Sequence, residues 1–485
     1  MWLISIAALA QALVSAEPGP DTLTAQEAQR DITIARRALE SIHPGYERFT
    51  SRERLDAQWA AFEAASSQGM ERRQFYLSLA ELLGDIRCDH TKAELPQEWA
   101  ETRNEVPVYL PFRFQVFDGR MYVEAPGDTG LERGTEILSL DGDPATSRLA
   151  AVLPFIAIDG YTDHTRWVTM MGSSEELGSG FDHYDPLLNP DDGQVEIRYR
   201  DLDGVIGTRV FDRLTYPEFS DLAGERRRRN FSDEDAIEVL YPEPGVASLA
   251  VSTFVNYRTP VDPMEVFAPI FEEIQARNVH TLIVDMRRNG GGSTDAQLGL
   301  LAHLSRDYIR PLQEVRVRTI EFGETRPYID TWDPSALNPP AENFTQREDG
   351  WYSYTPQALP ELGGFAAAPG AFQGRLILLV GSGNASGASQ MIGALVDRED
   401  TYLIGEPTGG TQQGPTAGII YFLDLPESGI RVRVPWQLAI SSIEEPVIGY
   451  GFAPDIHAPL TRESWLANID PALEAALELA RQTVN

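Results

Sequence analysis

From Thr24 to about Pro96 the apolar positions recur at helical spacing. Ala25, Ala28, Ile32, Ala35, Leu39 and Ile42 fall at steps of three and four until His43-Pro44 stops the run. Thr50-Ser51-Arg52-Glu53 predicts a capping box at the head of a second helix, with Leu55, Trp59 and Phe62 along one face. "RRQFYLSLAELLGDI" predicts a third helix. Beyond residue 105 the period changes to two. "VPVYLPFRFQVFDGRMYVEAP" alternates like paired strands around an Asp118-Gly119 turn, and "GLERGTEILSLDGDPATS" ends a further strand in an Asp-Gly turn. The charged stretch 224–239 lacks periodicity and is expected as a linker or exposed loop. From Gly245 strands and helices alternate, which predicts an α/β core with largely parallel pairing.

These shifts divide the chain into a leader at 1–16, a helical domain at 17–102, a β-rich module at 103–215, a linker at 216–244 and an α/β core at 245–485. The leader rests on an apolar run followed by Val14-Ser15-Ala16, whose small residues fit a signal-peptide cleavage after Ala16, although no basic residue precedes the run. An exported protein, periplasmic or secreted, is therefore expected. No later segment is apolar enough to predict a transmembrane span.

Charge narrows the partners. The 485 residues carry 73 acidic against 40 basic side chains, a formal net charge of −33. Such a surface repels phosphate backbones, so nucleic acid is not expected as a partner. Two rare residues narrow the chemistry. The lone cysteine, Cys88, rules out an intrachain disulfide and a thiolate zinc cage. The lone lysine, Lys92, means that any mechanism needing an amine must use it.

Candidate chemistry concentrates in "RLILLVGSGNASGASQMIGALV", residues 375–396, where an apolar strand enters a Gly/Ser turn and then a helix. Gly381-x-Gly383-x-x-x-Gly387, with Glu406 one strand further on, is compatible with a dinucleotide site. A lone glycine pattern is weak, however, and few basic residues accompany it. The alternative is a nucleophile: Ser386 at a strand-to-helix turn, with the Gly387 amide aimed outward as an oxyanion donor. "MRRNGGGS", 286–293, offers a second donor at Gly291. Asn384 and Ala388 stand where a G-x-S-x-G elbow has glycines, so the common hydrolase elbow is disfavoured.

"IVDMRRNGGGS", "NASGASQMIGALVDREDTYLIGEPTGGT" and "GYGFAPDIHA", together with "SIHPGYERFTS" and "IRCDHTKAEL", resemble in order the signature segments of the carboxy-terminal-processing peptidase superfamily. That superfamily includes tail-specific proteases, the tricorn core and the interphotoreceptor retinoid-binding protein. The resemblance implies a crotonase-like α/β core of strand-strand-helix units, a PDZ-like module over 103–215, and serine-type hydrolysis of peptides or unfolded proteins without a metal or organic cofactor. Tail-specific members carry a lysine in a GEPTxGK-like segment; here Thr411 stands at that position. The tricorn-like branch uses a histidine from the N-terminal region, which matches His90, and imidazole suits activation of a serine near neutral pH. His43 reads as a packing residue at a helix end. A carboxylate should orient the base, and Glu444, Glu445 and Asp89 remain candidates. Ser389 replaces a glutamate common among relatives. A second reading is a catalytically inactive protein of the same fold that binds a peptide or an apolar ligand. Oligomeric state is left open.

Overall fold

The computed structural model describes residues 21–171, 180–190, 192–224 and 229–482. The expected leader at 1–16 lies outside the described residues. Three helices open the described chain, Ala25–Ile42, Arg52–Ala65 and Arg72–Asp85. Thr24 and Glu27 close a reciprocal capping box on the first, and His43 ends it. The second is capped by Ser51 rather than Thr50, because the Thr50 hydroxyl donates to the carbonyl of Asp85. Leu39, Ile42, Trp59, Phe75 and Leu79 bury the shared face.

An antiparallel sheet follows, running Arg113–Phe117, Arg120–Ala125, Glu136–Leu140, Gln194–Arg200 and Ile206–Asp212 in spatial order, with the short strand Asp143–Pro144 on Glu136–Leu140. Both Asp-Gly turns have the geometry that their residues favour. Asp118 and Gly119 have φ of 50° and 71°, and Asp141 and Gly142 have φ of 52° and 86°, as a tight hairpin with right-handed strand twist requires. The segment expected as a linker, 216–244, is structured in part. It contains the helix Tyr216–Asp221 and the strand Ile237–Glu243, which pairs antiparallel with Val246–Val251.

That pair begins a six-stranded sheet ordered Ile237–Glu243, Val246–Val251, Thr281–Asp285, Arg375–Val380, Thr401–Gly405 and Ile456–His457. Every pairing after the first is parallel. Arg375–Val380 is buried along its whole length, as expected for a strand covered on both faces. Its period-2 alternation sorts the two layers. Leu376, Leu378 and Val380 pack with Phe267, Leu300 and Met391 of the helices Pro263–Ala276, Thr294–Leu304 and Ser386–Leu395. Ile377 and Leu379 pack with Ala472 and Ala476 of the helix Pro471–Ala480 on the other side.

A second, antiparallel sheet departs from the expected parallel pairing. It centres on the long hairpin Thr416–Asp424 and Arg431–Ser441 and adds Leu312–Val317 beside it. Ala93–Glu94, just after the early helices, pairs with Arg431–Val432 of this sheet. The N-terminal region is thereby sewn to the C-terminal half. No helix among the described residues is long and apolar enough to cross a membrane.

Candidate active site

Ser386 follows the buried strand Arg375–Val380 and is the first residue of the helix Ser386–Leu395. Its φ is 48°, a left-handed conformation that non-glycine residues adopt rarely and that is typical of strained turns at reactive sites. Asn384 holds the turn. Its side-chain amide donates to the carbonyls of Met286 and Asn289, its side-chain oxygen accepts from Gly381, and its carbonyl accepts from Gly409 and Gly410 at 2.9 and 2.8 Å. Asn384 thus ties the serine turn to the glycine loop 286–293 through its buried side chain and to 409–410 through its main-chain carbonyl.

The glycine loop lies directly against the serine. A Cβ added to Gly291, whose φ is 106°, would sit 2.8 Å from the Gly387 nitrogen and 2.9 Å from the Ser386 Cβ. On Gly292, with φ of 142°, it would sit 2.3 Å from the carbonyl carbon of Phe254. Only glycine fits either position. The loop is also bonded in place: Phe254 donates to the Gly291 carbonyl at 3.1 Å, and Ser293 donates to the Phe254 carbonyl at 2.7 Å.

This bonding corrects the expectation for Gly291. Its amide already donates to the Asn289 side-chain oxygen at 2.9 Å, so it is committed. Among the described residues the amides of Gly387 and Gly292 have no acceptor, and the Gly292 nitrogen lies 3.7 Å from where a Cβ on Gly387 would sit. Gly387 and Gly292 are the pair that can receive an oxyanion. Asn289 was not singled out in the sequence, although both loops carry an asparagine beside their glycines, and that shared asparagine was the available signal.

His90 sits in the turn 88–91, closed by a bond from the Thr91 amide to the Cys88 carbonyl at 3.1 Å. Its neighbours anchor the turn. The Cys88 thiol lies 2.7 Å from the Thr416 hydroxyl, and burial pushes that thiol up to about 12. The Lys92 ammonium pairs with Asp89 at 3.4 Å. Burial raises the Asp89 carboxyl, but Lys92 and His90 outweigh it and the group sits below its usual value. His43, fully buried, supports the turn from below. Its Nδ1 accepts from the Gly45 amide at 2.9 Å, so Nε2 carries the proton and donates to the Thr91 hydroxyl at 2.6 Å. Burial, helped by Arg318, drops the His43 imidazole to about 3, which keeps it neutral.

Ser386 and His90 line one cavity of about 2390 Å³, together with Lys92, Gly387 and Gly292. No hydrogen bond among the described residues joins the two side chains. Glu444 and Glu445 are exposed and are not among the residues that line this cavity. Thr411 is buried, and the Ser389 hydroxyl donates to the Asn384 carbonyl at 3.0 Å. Glu406, considered above as a ribose acceptor, lines the same cavity, and burial raises its carboxyl.

A carboxylate absent from the sequence reading stands beside His90. A carboxylate oxygen of Asp159, a ring nitrogen of His90 and the Cys88 sulfur all lie within 4.8 Å of one another. Asp159 is 5% exposed. Burial and the nearby Asp89 raise its carboxyl, while His90 opposes them. These three side chains could hold a soft cation only with Cys88 as thiolate, and the thiol here is held protonated by burial and engaged by Thr416. The signal for Asp159 was an acid at the end of the apolar run Phe155-Ile156-Ala157-Ile158, all of it buried in the structure.

Residues 245–458 match the model of peptidase family S41. No curated protein matches the chain. Among solved structures, mature CPAF complexed with lactacystin aligns over 94% of this chain and 98% of its own, with 16% identity and a TM-score of 0.62. A mutant of CPAF aligns over 94% and 97%, with 15% identity and a TM-score of 0.63. The photosystem II D1 C-terminal processing protease aligns over 94% and 97%, with 16% identity and a TM-score of 0.42. The likeness to CPAF identifies a shared fold.

Proposed function

Through its peptidase family S41 domain at residues 245–458 the chain belongs to the carboxy-terminal-processing peptidase superfamily, and we propose that it is an exported serine-type endopeptidase. Ser386 is the nucleophile and His90 the general base. The Ser386 hydroxyl attacks a peptide carbonyl while His90 takes its proton, and the amides of Gly387 and Gly292 receive the developing oxyanion. The helix Ser386–Leu395 adds its positive end to that hole. Collapse of the tetrahedral adduct returns the proton to the departing amine and leaves an acyl-enzyme, which water hydrolyses by the same steps.

The observation that carries this reading is the left-handed Ser386 held against two amides that have no acceptor. A turn strained in this way needs a dense set of bonds to persist, and Asn384 supplies them. The cavity volume of about 2390 Å³ exceeds that of small-molecule pockets, which run to roughly 1,000 Å³. It suits an extended peptide. In the unliganded cleft His90 and Ser386 share no bond, and catalytic hydrogen bonds commonly tighten only when substrate is bound. The domain preceding the core is read as PDZ-like, and the leader as a signal peptide removed after Ala16.

The test is covalent labelling. A fluorophosphonate probe is expected to label the purified protein and to fail on Ser386→Ala. Equal labelling of the two would overturn the assignment.

A further inference from the structure

Resting on the hydrolase reading above, we propose that Asp159 is the carboxylate that orients His90. Two buried polar atoms at this site have no hydrogen-bond partner, His90 Nδ1 and Asp159 Oδ2. They belong to the two side chains whose ligand atoms lie within 4.8 Å. Leaving both unpaired would cost each its desolvation. Pairing Nδ1–H with Oδ2 satisfies both with one bond.

The other oxygen of Asp159 is already used. Oδ1 accepts from the Asp89 amide at 3.0 Å, which fixes the carboxylate against the histidine turn. The loop bearing it is docked on the same turn from both sides. Gly160 donates to the Arg87 carbonyl at 3.1 Å, and the Arg87 guanidinium donates to the Gly160 carbonyl at 2.7 Å. Tyr161 donates to the Gly449 carbonyl at 2.6 Å, tying the loop to the C-terminal segment.

The competing carboxylates fare worse. Asp89 is drawn to Lys92 at 3.4 Å, and Glu444 and Glu445 are exposed away from the cavity lining. Lys92 therefore acts on the site indirectly, by keeping Asp89 from competing for the imidazole.

The proton account is simple. With Nδ1–H given to Asp159, the lone pair of Nε2 is free to take the Ser386 hydroxyl proton as the bond from Oγ to the carbonyl carbon forms. The imidazolium then faces an anion, and Asp159 itself stays unprotonated throughout. Asp159 is thus a positioning residue that acts through His90.

Asp159→Asn tests this, because its side-chain oxygen can still accept from the Asp89 amide and preserve the docking bond. Peptide turnover is expected to fall about 10³- to 10⁴-fold, in kcat with KM little changed. The acid limb of the kcat/KM profile is expected to move to lower pH. Asp89 from the turn, and Arg48 and Cys88 from below, face the same pair, while Lys92 and Arg433 act on Asp89. Asp89→Asn should therefore be compared under the same conditions and is expected to lose less than tenfold. If Asp159→Asn fails to fold, Asp159→Glu decides the matter by retaining the charge and at least a tenth of the turnover. Turnover of Asp159→Asn within tenfold of the parent, or an unmoved acid limb, overturns the inference, as does Asp159→Glu falling below that tenth. If Ser386→Ala also leaves turnover unchanged, the hydrolase reading has failed. If Ser386→Ala abolishes turnover and Asp159→Asn does not, only the role of Asp159 has failed.

Discussion

The turn that carries Ser386 and the turn that carries His90 are held by different kinds of bond. Around Ser386 almost every restraint involves the main chain: Asn384 and Asn289 clasp carbonyls and amides, and Gly291 packs against the nucleophile with no side chain between. Around His90 main-chain bonds, from the Thr91 amide to Cys88 and from the Asp89 amide to Asp159, are joined by pairs between side chains, His43 to Thr91, Cys88 to Thr416 and Lys92 to Asp89. The first turn is rooted in a parallel sheet, the second is joined through Ala93–Glu94 to an antiparallel one. The difference teaches which half of the site is preorganised. In the proposed mechanism the amides of Gly387 and Gly292 are fixed before substrate arrives, while His90, the proposed base, sits on an element whose side-chain bonds can re-form after a small shift.

The largest effect expected from this division is on His90. His90→Ala should reduce peptide turnover about 10⁴-fold or more, and the double variant with Ser386→Ala should cost no more than either change alone, because the two act as one unit. Additive losses in steady-state assays would separate the halves and break the scheme. Next comes the glycine loop. Gly291→Ala pushes a methyl group into the Gly387 nitrogen and the Ser386 Cβ at a φ of 106°; roughly 10² in kcat should be lost, with fluorophosphonate labelling slowed in parallel.

Asn384→Ala tests whether the main-chain clasp is as stiff as its bonds suggest. It strips partners from the Met286 and Asn289 carbonyls and the Gly381 amide. We expect a loss of about 3 kcal/mol in urea unfolding, together with weakened labelling of Ser386.

The smallest effect concerns the support beneath His90. The His43 imidazole is depressed to about 3 in the fold from 6.5, so the unfolded chain binds more protons between those values. Its contribution to stability is therefore complete above pH 6.5 and declines as pH falls toward 3, by at most about 1.4 kcal/mol per pH unit. Arg318, His90 and Arg48 also face this ring and lower its proton affinity. Urea midpoints measured from pH 7 to pH 5 should fall, and His43→Gln should flatten part of that slope.

Much of the scaffold was legible because local rules agree with the tertiary result. The heptad-like run from Ala25 to Ile42, the two Asp-Gly turns and the buried strand before Ser386 each read from spacing alone. The placement of Ser386 at a strand-to-helix turn beside glycines followed from turn chemistry, while its left-handed φ did not. Three further features did not. Gly291 and Gly292 look equivalent in sequence, and only the bond from Asn289 decides which amide is spent. The strand Ile237–Glu243 exposes Glu238, Leu240 and Pro242 and falls within the segment expected as a linker, yet edge pairing with Val246–Val251 orders it. Asp159 is far from any motif and gains its neighbours only when its loop docks on Arg87. Such long-range pairings depend on which loops meet, which local periodicity does not encode.

The scarcity of lysine has a practical outcome. Apart from the chain's own amino terminus, Lys92 offers the only primary amine, and it lines the cleft beside the histidine turn. An amine-acylating dye thus becomes a single-point reporter inside the groove, and any molecule that fills the groove can be ranked by how far it shields that one nitrogen.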